Sequence, residues 1–257
     1  MGFGQDNFIL NVSRPIRVGY ARALARLSGS DVAARRVMNL AKRFSKAFRK
    51  PRRVKRNYAA ITLEERDIRS GAYKKYMPGG AAQWHQRGAF QFFFLKRMGL
   101  QASSRLLDVG CGPIRAGSHL IPYLNEGNYC GADYNQYFIA AARRIVEDGG
   151  LLGRRPLLEI IHNFDFSQIP VEFDFAIVFA VLNHCDELQR CDFFRNIEKP
   201  MKKGGRIYIS HARWFRDSDL HGTHMKVSGR FGPDDFDVSG YGWERDKTFP
   251  IIELTVG

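Results

Sequence analysis

The chain has 257 residues, of which 44% are hydrophobic, and its formal net charge is +14. This length suffices for one large α/β domain with additional elements, and the sequence lacks the run of about 18 apolar residues that predicts a membrane-spanning helix. The four cysteines form no CxxC pair and have no scaffold-like spacing. We therefore expect reduced cysteines, no metal site and a cytoplasmic protein.

The positive charge is concentrated at the start of the chain. Residues 1–56 carry 15 Lys and Arg but only 2 acidic residues, whereas the remaining 201 residues carry 25 Lys and Arg and 24 acidic residues. This asymmetry predicts separate modules. We divide the chain into a basic helical arm (1–56), a helical cap (57–103) and a main domain (104–257).

The arm contains a predicted basic amphipathic helix that starts near Ser30 and Asp31, two good N-cap types, and ends before Pro51. Four interpretations stay open. The helix docks on the main domain, lies on an anionic membrane surface, grips RNA phosphates, or belongs to an organelle transit peptide.

In the cap, the pattern of residues 81–100 predicts an apolar helix, and we expect most of its aromatic side chains to be buried in the core. Trp84 and His85 lie at its start and are candidates to face a ligand.

From residue 104 onward, predicted strands and helices alternate, which favours a largely parallel, Rossmann-like sheet with helices on both faces. We predict strands near 105–109, 128–132, 157–162, 173–180 and 205–210, and helices over 115–124, 135–148 and 187–199. Residues 212–232 are interpreted as a mobile substrate loop with Trp214 and Phe215 as walls. Residues 241–256 are interpreted as a closing antiparallel hairpin.

The stretch "LLDVGCGPIRAG" (106–117) predicts a strand, a tight turn and the start of a helix, with backbone N–H groups facing a ligand. A dinucleotide turn requires a third glycine where this chain has Arg115. Asp108 lies two residues before Gly110, and its carboxylate would repel a pyrophosphate but attract an ammonium group. S-adenosylmethionine carries an ammonium and a sulfonium and no phosphate, so the turn with Gly110 and Gly112 favours that cofactor.

Two later segments agree with this cofactor. Asp133 ends the second strand about 20 residues after the glycines, where an acid accepts ribose hydroxyls. Asn163, Phe164 and Asp165 follow the third strand and offer an acceptor, a backbone donor and a ring for adenine. Loops at successive strand ends line one crevice in open α/β sheets.

These segments, with "FDFAIVFAVLNH" and "MKKGGRIYIS", resemble class I S-adenosylmethionine-dependent methyltransferases over roughly residues 83–257. The resemblance implies a seven-stranded sheet, S-adenosylmethionine as cofactor, the glycines around its methionine part, Asp133 on ribose, and Asn163 with Phe164 on adenine. Arg115 is a candidate partner for the methionine carboxylate, and Phe179 a further candidate for the cofactor site. Ile114 departs from the pattern, since many members have a third glycine there.

Two histidines are candidate catalytic residues for the acceptor side. His184 follows the fourth strand and His211 the fifth, and a histidine titrating near neutral pH suits proton removal from an alcohol or phenol. The chain lacks the (D/N)PP(Y/F) tetrad of the resembling base and amide N-methyltransferases, which lowers the expectation of such substrates.

Three functions follow from these observations. The first is O-methylation of a small molecule or of a sugar hydroxyl in a glycan or lipid-linked intermediate, with the arm at a membrane. The second is RNA methylation with the arm as a phosphate clamp, which the neutral main domain disfavours. The third is a scaffold that no longer catalyses, which the retained Asp108, Gly110, Gly112 and Asp133 disfavour.

Overall fold

The computed structural model describes residues 57–236 and 248–257. The predicted basic arm therefore lies outside the described residues, as does most of the first half of the predicted hairpin.

The described residues form a seven-stranded sheet in the order β3-β2-β1-β4-β5-β7-β6. The strands are β1 Leu106–Val109, β2 Tyr129–Asp133, β3 Leu157–Ile160, β4 Phe173–Val178, β5 Met201–Ile209, β6 Met225–Phe231 and β7 Ile251–Val256. Strands β1 to β5 pair in parallel, and β7 runs antiparallel to both β5 and β6. The predicted fold class, a mostly parallel Rossmann-like sheet with an antiparallel end, is confirmed.

The α-helices in the described part of the chain are α1 Glu65–Arg69, α2 Trp84–Arg97, α3 Gly117–Tyr123, α4 Gln136–Asp148 and α5 Glu187–Ile197. Alternation along the strands separates two cores. Leu106 and Ile177 belong to one apolar cluster, and their neighbours Leu107 and Val178 belong to the other. Successive strand side chains point to opposite faces, so both faces of the sheet are covered.

The substrate-loop interpretation of residues 212–232 is wrong for its second half, because Met225–Phe231 is strand β6. Its side chains alternate between the interior and solvent, with Met225 buried and Lys226 and Arg230 exposed. This period of two is a strand signal that glycines and charges obscure in the sequence. Strand β6 is also the partner of β7, in place of the first predicted hairpin strand.

The proposed loop walls also belong to the interior. Phe215 is buried beside Phe194, at 5.9 Å between ring centroids, and Trp214 packs against the same cluster. Phe215 is therefore part of this core, and Trp214 is partly buried against it.

Helix α2 approaches the turn after β1 closely at Gly88. A Cβ atom at this position would lie 2.5 Å from the carbonyl oxygen of Arg115 and 2.8 Å from the ring of His119. Only a residue without a side chain permits this approach, which brings the cap against the glycine turn.

We expect Gly88→Ala to lower the free energy of unfolding by about 1–3 kcal/mol, because the added methyl group overpacks against backbone. Gly153→Ala is the matched control, since a Cβ there meets nothing within 4 Å. Urea denaturation of both variants measures the difference. Equal stability of the two variants would contradict the close approach.

Candidate functional site

The carboxyl ends of the parallel strands meet at one edge of the sheet, where β1 lies between β2 and β4 and the order of connections reverses. Open α/β sheets bind ligands in the crevice at such a switch point. Among the described residues, six that are not glycine have a positive φ, and five of them follow β1, β3, β4 or β5 at this edge. They are Ile114 (48°), Asn163 (51°), Phe164 (54°), Ala180 (60°) and His211 (60°). Each such residue costs about 1–3 kcal/mol, and such strain concentrates at functional sites.

Ile114 explains the missing third glycine. Its backbone adopts the left-handed conformation that glycine favours, although it is β-branched. Its side chain has 0% exposure and packs in the core beneath the turn. Burial of this side chain offsets the backbone strain, so the turn keeps its shape without the glycine.

The backbone N–H groups of the glycine turn bond within the protein. Gly110 donates to the carbonyl oxygen of Ala132 (2.7 Å) and Gly112 to the Asp133 carboxylate (2.9 Å). The prediction that these groups face a ligand is therefore wrong for the two glycines. Their positive φ values serve the close turn instead, and a Cβ on Gly110 would lie 2.4 Å from Val181.

Asp108 is a buried carboxyl group at the end of β1, with 4% exposure. The hydroxyl of Tyr129 donates a hydrogen bond to it (2.8 Å). Burial raises the pKa of Asp108 to about 7; the Tyr129 hydrogen bond opposes this, Asp133 adds to it and Arg115 opposes it. A cation at this site would be stabilised by the ionised carboxylate.

Asp133 connects two loops at the end of β2. Its carboxylate accepts the N–H of Gly112 and the N–H of Asn135, both at 2.9 Å. Burial raises the pKa of Asp133, and the N–H groups of Asn135, Gly112 and Tyr134 oppose the rise. A carboxylate has about four acceptor positions, so at least one remains for a ligand hydroxyl.

A strap formed by residues 58–61 is fastened to the same place by Asn135. The Asn135 amide donates to the carbonyl oxygens of Tyr58 (2.9 Å) and Ile61 (3.0 Å). Its amide oxygen caps α4 by accepting the N–H groups of Tyr137 and Phe138. The Asn135 side chain thus fastens the strap next to the carboxylate of Asp133, and buried Ile61 adds apolar packing.

Tyr58 on the strap contacts the loop after β4. Its ring meets that of His184 edge-on, with the centroids 5.0 Å apart. His184 Nε2 lies 3.3 Å from the amide nitrogen of Asn183. Sequence reasoning missed Tyr58 because a lone tyrosine after a charge run carries no motif.

His211 is held by the neighbouring Ser210. The Ser210 hydroxyl lies 2.7 Å from His211 Nδ1 and accepts the N–H of Ala180 at 3.0 Å. Ser210 is fully buried, so its own proton needs an acceptor, and His211 Nδ1 is placed to be that acceptor. This assigns the ring proton to Nε2, which makes that nitrogen a hydrogen-bond donor.

His211 also experiences positive charge. Burial is the main cause that lowers its pKa to about 4, and the charges of His184, Arg87 and Arg115 contribute to this shift. His211 is therefore neutral at neutral pH.

Two predicted cofactor contacts, Trp84 and Phe179, are buried among other aromatic rings. Trp84 has 3% exposure and packs edge-on against Tyr73, at 5.6 Å, in the core of the cap. Phe179 has 7% exposure and packs against Phe94, at 5.6 Å. Both rings fill apolar interior, which the sequence pattern did not separate from a ligand wall.

The three residues predicted to bind adenine lie together after β3, but each has a different environment. Asn163 is exposed. Phe164 packs against Phe193 at 5.3 Å, and Asp165 accepts the N–H of Ser167 at 2.9 Å, which fixes the turn. Tyr134, 43% exposed directly after Asp133, is an aromatic residue that the sequence reasoning did not single out.

Within the described residues, no group of three or more His, Cys, Asp or Glu side chains is arranged to hold a metal ion. No helix in the same part of the chain is long and apolar enough to cross a membrane.

Comparison with known proteins finds one family model that matches the centre of the chain. Residues 107–207 match a family model described as a methyltransferase domain. This range includes the glycine turn, Asp133, the segment after β3 and His184.

Solved structures share the fold at low identity. Magnesium protoporphyrin IX methyltransferase from Synechocystis PCC 6803, with bound SAM, has a TM-score of 0.52 at 13% identity, over 77% of this chain and 99% of that one. An S-adenosylmethionine-dependent methyltransferase from Clostridium acetobutylicum has 0.53 at 12%, over 75% and 99%. A glycopeptide N-methyltransferase complexed with S-adenosyl-L-homocysteine has 0.51 at 13%, over 67% and 90%. The two acceptors that these names give, magnesium protoporphyrin IX and a glycopeptide, differ, so the shared fold carries no information about this chain's acceptor.

The raised pKa of Asp108 predicts a pH-dependent stability. The folded protein holds this proton up to about pH 7, whereas the ordinary value is 3.8. Its contribution to stability is therefore present below pH 4 and is lost as the pH rises through 7, by up to about 1.4 kcal/mol per pH unit.

Asp108→Asn keeps an acceptor for Tyr129 and cannot ionise. We expect it to have a larger free energy of unfolding than the wild type at pH 8, with a smaller difference at pH 5. Urea denaturation at both pH values checks this. A difference that does not change with pH would contradict the assignment.

Proposed function

We propose that this chain, whose residues 107–207 match a methyltransferase-domain model, is a class I, S-adenosylmethionine-dependent methyltransferase that methylates an oxygen atom. The acceptor is a small molecule or a sugar hydroxyl of a glycan or lipid-linked intermediate. The arrangement of charge in the crevice is the observation that carries the proposal.

That arrangement matches the cofactor's own charges. Asp108 is placed for the ammonium and sulfonium region, and Asp133 for a ribose hydroxyl through its remaining acceptor capacity. Arg115 is 7% exposed and close enough to Asp108 for each to shift the pKa of the other. An arginine beside a carboxylate suits the methionine end, which is a zwitterion.

The adenine is assigned to the loops beyond Asp133. Exposed Asn163 supplies an amide oxygen for the exocyclic amine, and the neighbouring Phe164 supplies a backbone N–H. Tyr134 is exposed at the same edge and supplies an aromatic face. Asp165 accepts the N–H of Ser167 and so holds the shape of this loop.

The bound cofactor supplies an activated methyl group, so the protein has to align the acceptor and remove its proton. His184 is the base in this proposal, because it is partly exposed at the end of β4 and its ring is oriented by Tyr58. His211 is a hydrogen-bond donor that positions the acceptor, because Ser210 occupies its Nδ1.

The basic arm is proposed to hold the enzyme at an anionic membrane surface. It carries 15 Lys and Arg against 2 acidic residues, and each basic residue near such a surface contributes about 1 kcal/mol. This location suits a lipid-linked acceptor.

Cofactor binding should depend on pH through Asp108. The cationic cofactor binds the ionised carboxylate, whose pKa is raised to about 7 in the free protein. Affinity should therefore weaken as the pH falls from 8 to 6, with proton release on binding at pH 6. Calorimetric titrations in two buffers of different ionisation enthalpy measure both effects. Asp108→Asn should bind weakly at every pH, and an unchanged pH dependence in this variant would contradict the role of Asp108.

Methyl transfer itself is tested with isotopically labelled S-adenosylmethionine and a panel of acceptors with hydroxyl groups, alongside amine analogues of the same skeletons. We expect label on oxygen. His184→Gln should lower turnover about 10²–10⁴-fold while leaving cofactor affinity within threefold of wild type. Transfer to the amines alone would contradict O-methylation, and full turnover by His184→Gln would contradict the base.

A further inference from the structure

The strap of residues 58–61 crosses the end of strand β1. The carbonyl oxygen of Tyr58 accepts a hydrogen bond from the Asn135 amide, which follows β2, at 2.9 Å. The ring of the same tyrosine meets that of His184, which follows β4, with the centroids 5.0 Å apart. Strand β1 lies between β2 and β4, and neighbouring strands are about 4.7–4.9 Å apart. Tyr58 therefore bridges two strand spacings and passes over the end of β1.

The crevice beneath Tyr58 is the place to which the cofactor is assigned. Asp108 lies in β1 and Asp133 ends β2, and the Asp133 carboxylate accepts the N–H of Gly112 from the turn between them. A ligand that contacts both carboxylates occupies the space at the ends of these two strands. The strap lies over this space, so a ligand there can enter or leave on this side only if the strap moves.

The cap also covers the glycine turn with a second segment, the loop of residues 77–78. Arg115 donates from Nη1 to the carbonyl oxygen of Pro78 at 2.9 Å. A Cβ atom on Gly112 would lie 3.3 Å from the sulfur of Met77, so the Met77 side chain rests on the turn. This loop and the strap together enclose the crevice at the end of β1.

The two ends of the strap are held with different firmness. Ile61 is 8% exposed and belongs to the same apolar cluster as Trp84. Tyr58 is only partly buried and Ala60 is exposed, and the backbone hydrogen bond from the N–H of Ile61 to the carbonyl oxygen of Tyr58 is long, at 3.3 Å. Segments with few buried apolar contacts open at the lowest cost. The strap can therefore open at Tyr58 while Ile61 stays in the cluster.

Asn135 fastens the strap directly beside the proposed ribose position. Its amide donates to the carbonyl oxygens of Tyr58 and Ile61, and its backbone N–H donates to the carboxylate of Asp133 at 2.9 Å. Closure of the strap and binding of a ligand at Asp133 thus depend on the same residue.

We propose that the strap is a gate over the cofactor. Closed, with Tyr58 against His184, it covers S-adenosylmethionine during methyl transfer. It opens, by release of the Asn135 bonds, to admit the cofactor and to let S-adenosyl-L-homocysteine leave. This inference rests on the proposed function and adds two residues to it: Tyr58 closes the cofactor site, and Asn135 is a positioning residue that acts through the strap. Loops of this kind set the rate of product release in many enzymes.

The test measures the rates at which S-adenosyl-L-homocysteine binds to the full chain and leaves it, by stopped-flow mixing and displacement. Tyr58→Ala removes the ring that meets His184. Asn135→Ser removes both bonds to the strap but keeps a good N-cap for α4. We expect dissociation to be about tenfold faster or more in each variant, with association no slower than in the wild type.

Two further variants are the controls. Tyr58→Phe keeps the ring, and Thr62→Ala changes an exposed residue directly after the strap. Both should have the dissociation and association rates of the wild type, because neither alters the ring contact nor the Asn135 bonds.

Three results would overturn the gate. The first is an unchanged dissociation rate in folded Tyr58→Ala and Asn135→Ser. The second is slower association in both variants, since this would show a damaged binding site instead of a released gate. The third is a wild type that does not bind S-adenosyl-L-homocysteine, which would refute the proposed function and the gate with it. The first two results leave the proposed function intact, because the wild type still binds.

Discussion

The carboxylate of Asp133 accepts backbone N–H groups from two different loops, and the geometry of the crevice depends on this. Gly112 belongs to the turn after β1, and Asn135 starts the helix after β2. The side chain of Asn135 then fastens the strap of residues 58–61, which brings Tyr58 to His184. One buried carboxylate thus links the glycine turn, the start of α4 and, through the strap, the ring of His184. Because hydrogen bonds to a carboxylate in low dielectric are strong, this link also fixes the cap over the strand ends.

The crevice at the strand ends has two energetically unfavourable features that packing alone does not explain. Five non-glycine residues have positive φ at the strand ends, and Asp108 is buried with a pKa near 7. A site shaped for stability alone would avoid both features. A ligand that is cationic near Asp108 and anionic near Arg115 relieves the electrostatic part of this cost. Pre-organised charge of this kind is what a methyl-transfer site needs, since alignment and electrostatics supply most of the rate.

Most strands of the sheet could be predicted, because the apolar run and the turn residues that define each strand are neighbours in the sequence. The run that ends in Asp108 is apolar, compact and bounded by glycines, so both the strand and the turn follow from it. Strand β6 was missed because its alternation is carried by only a few apolar residues between Lys226, Gly229 and Arg230. Trp84 and Phe179 could not be assigned from sequence, since an aromatic residue fills core and lines ligand sites with the same spacing.

The long-range contacts were beyond sequence reasoning altogether. Nothing about Tyr58 indicates that it meets His184, 126 positions later in the chain. The meeting of Arg87 and Arg115 at the loop of residues 78–79 likewise depends on Gly79 and Gly88, whose roles appear only when the elements are packed. The most direct test of the whole account is a calorimetric titration of the full chain with S-adenosylmethionine, compared with Asp133→Ala. The account predicts micromolar binding by the wild type and loss of most of that affinity in the variant. A folded wild-type protein that does not bind, or a variant that binds equally well, would contradict it.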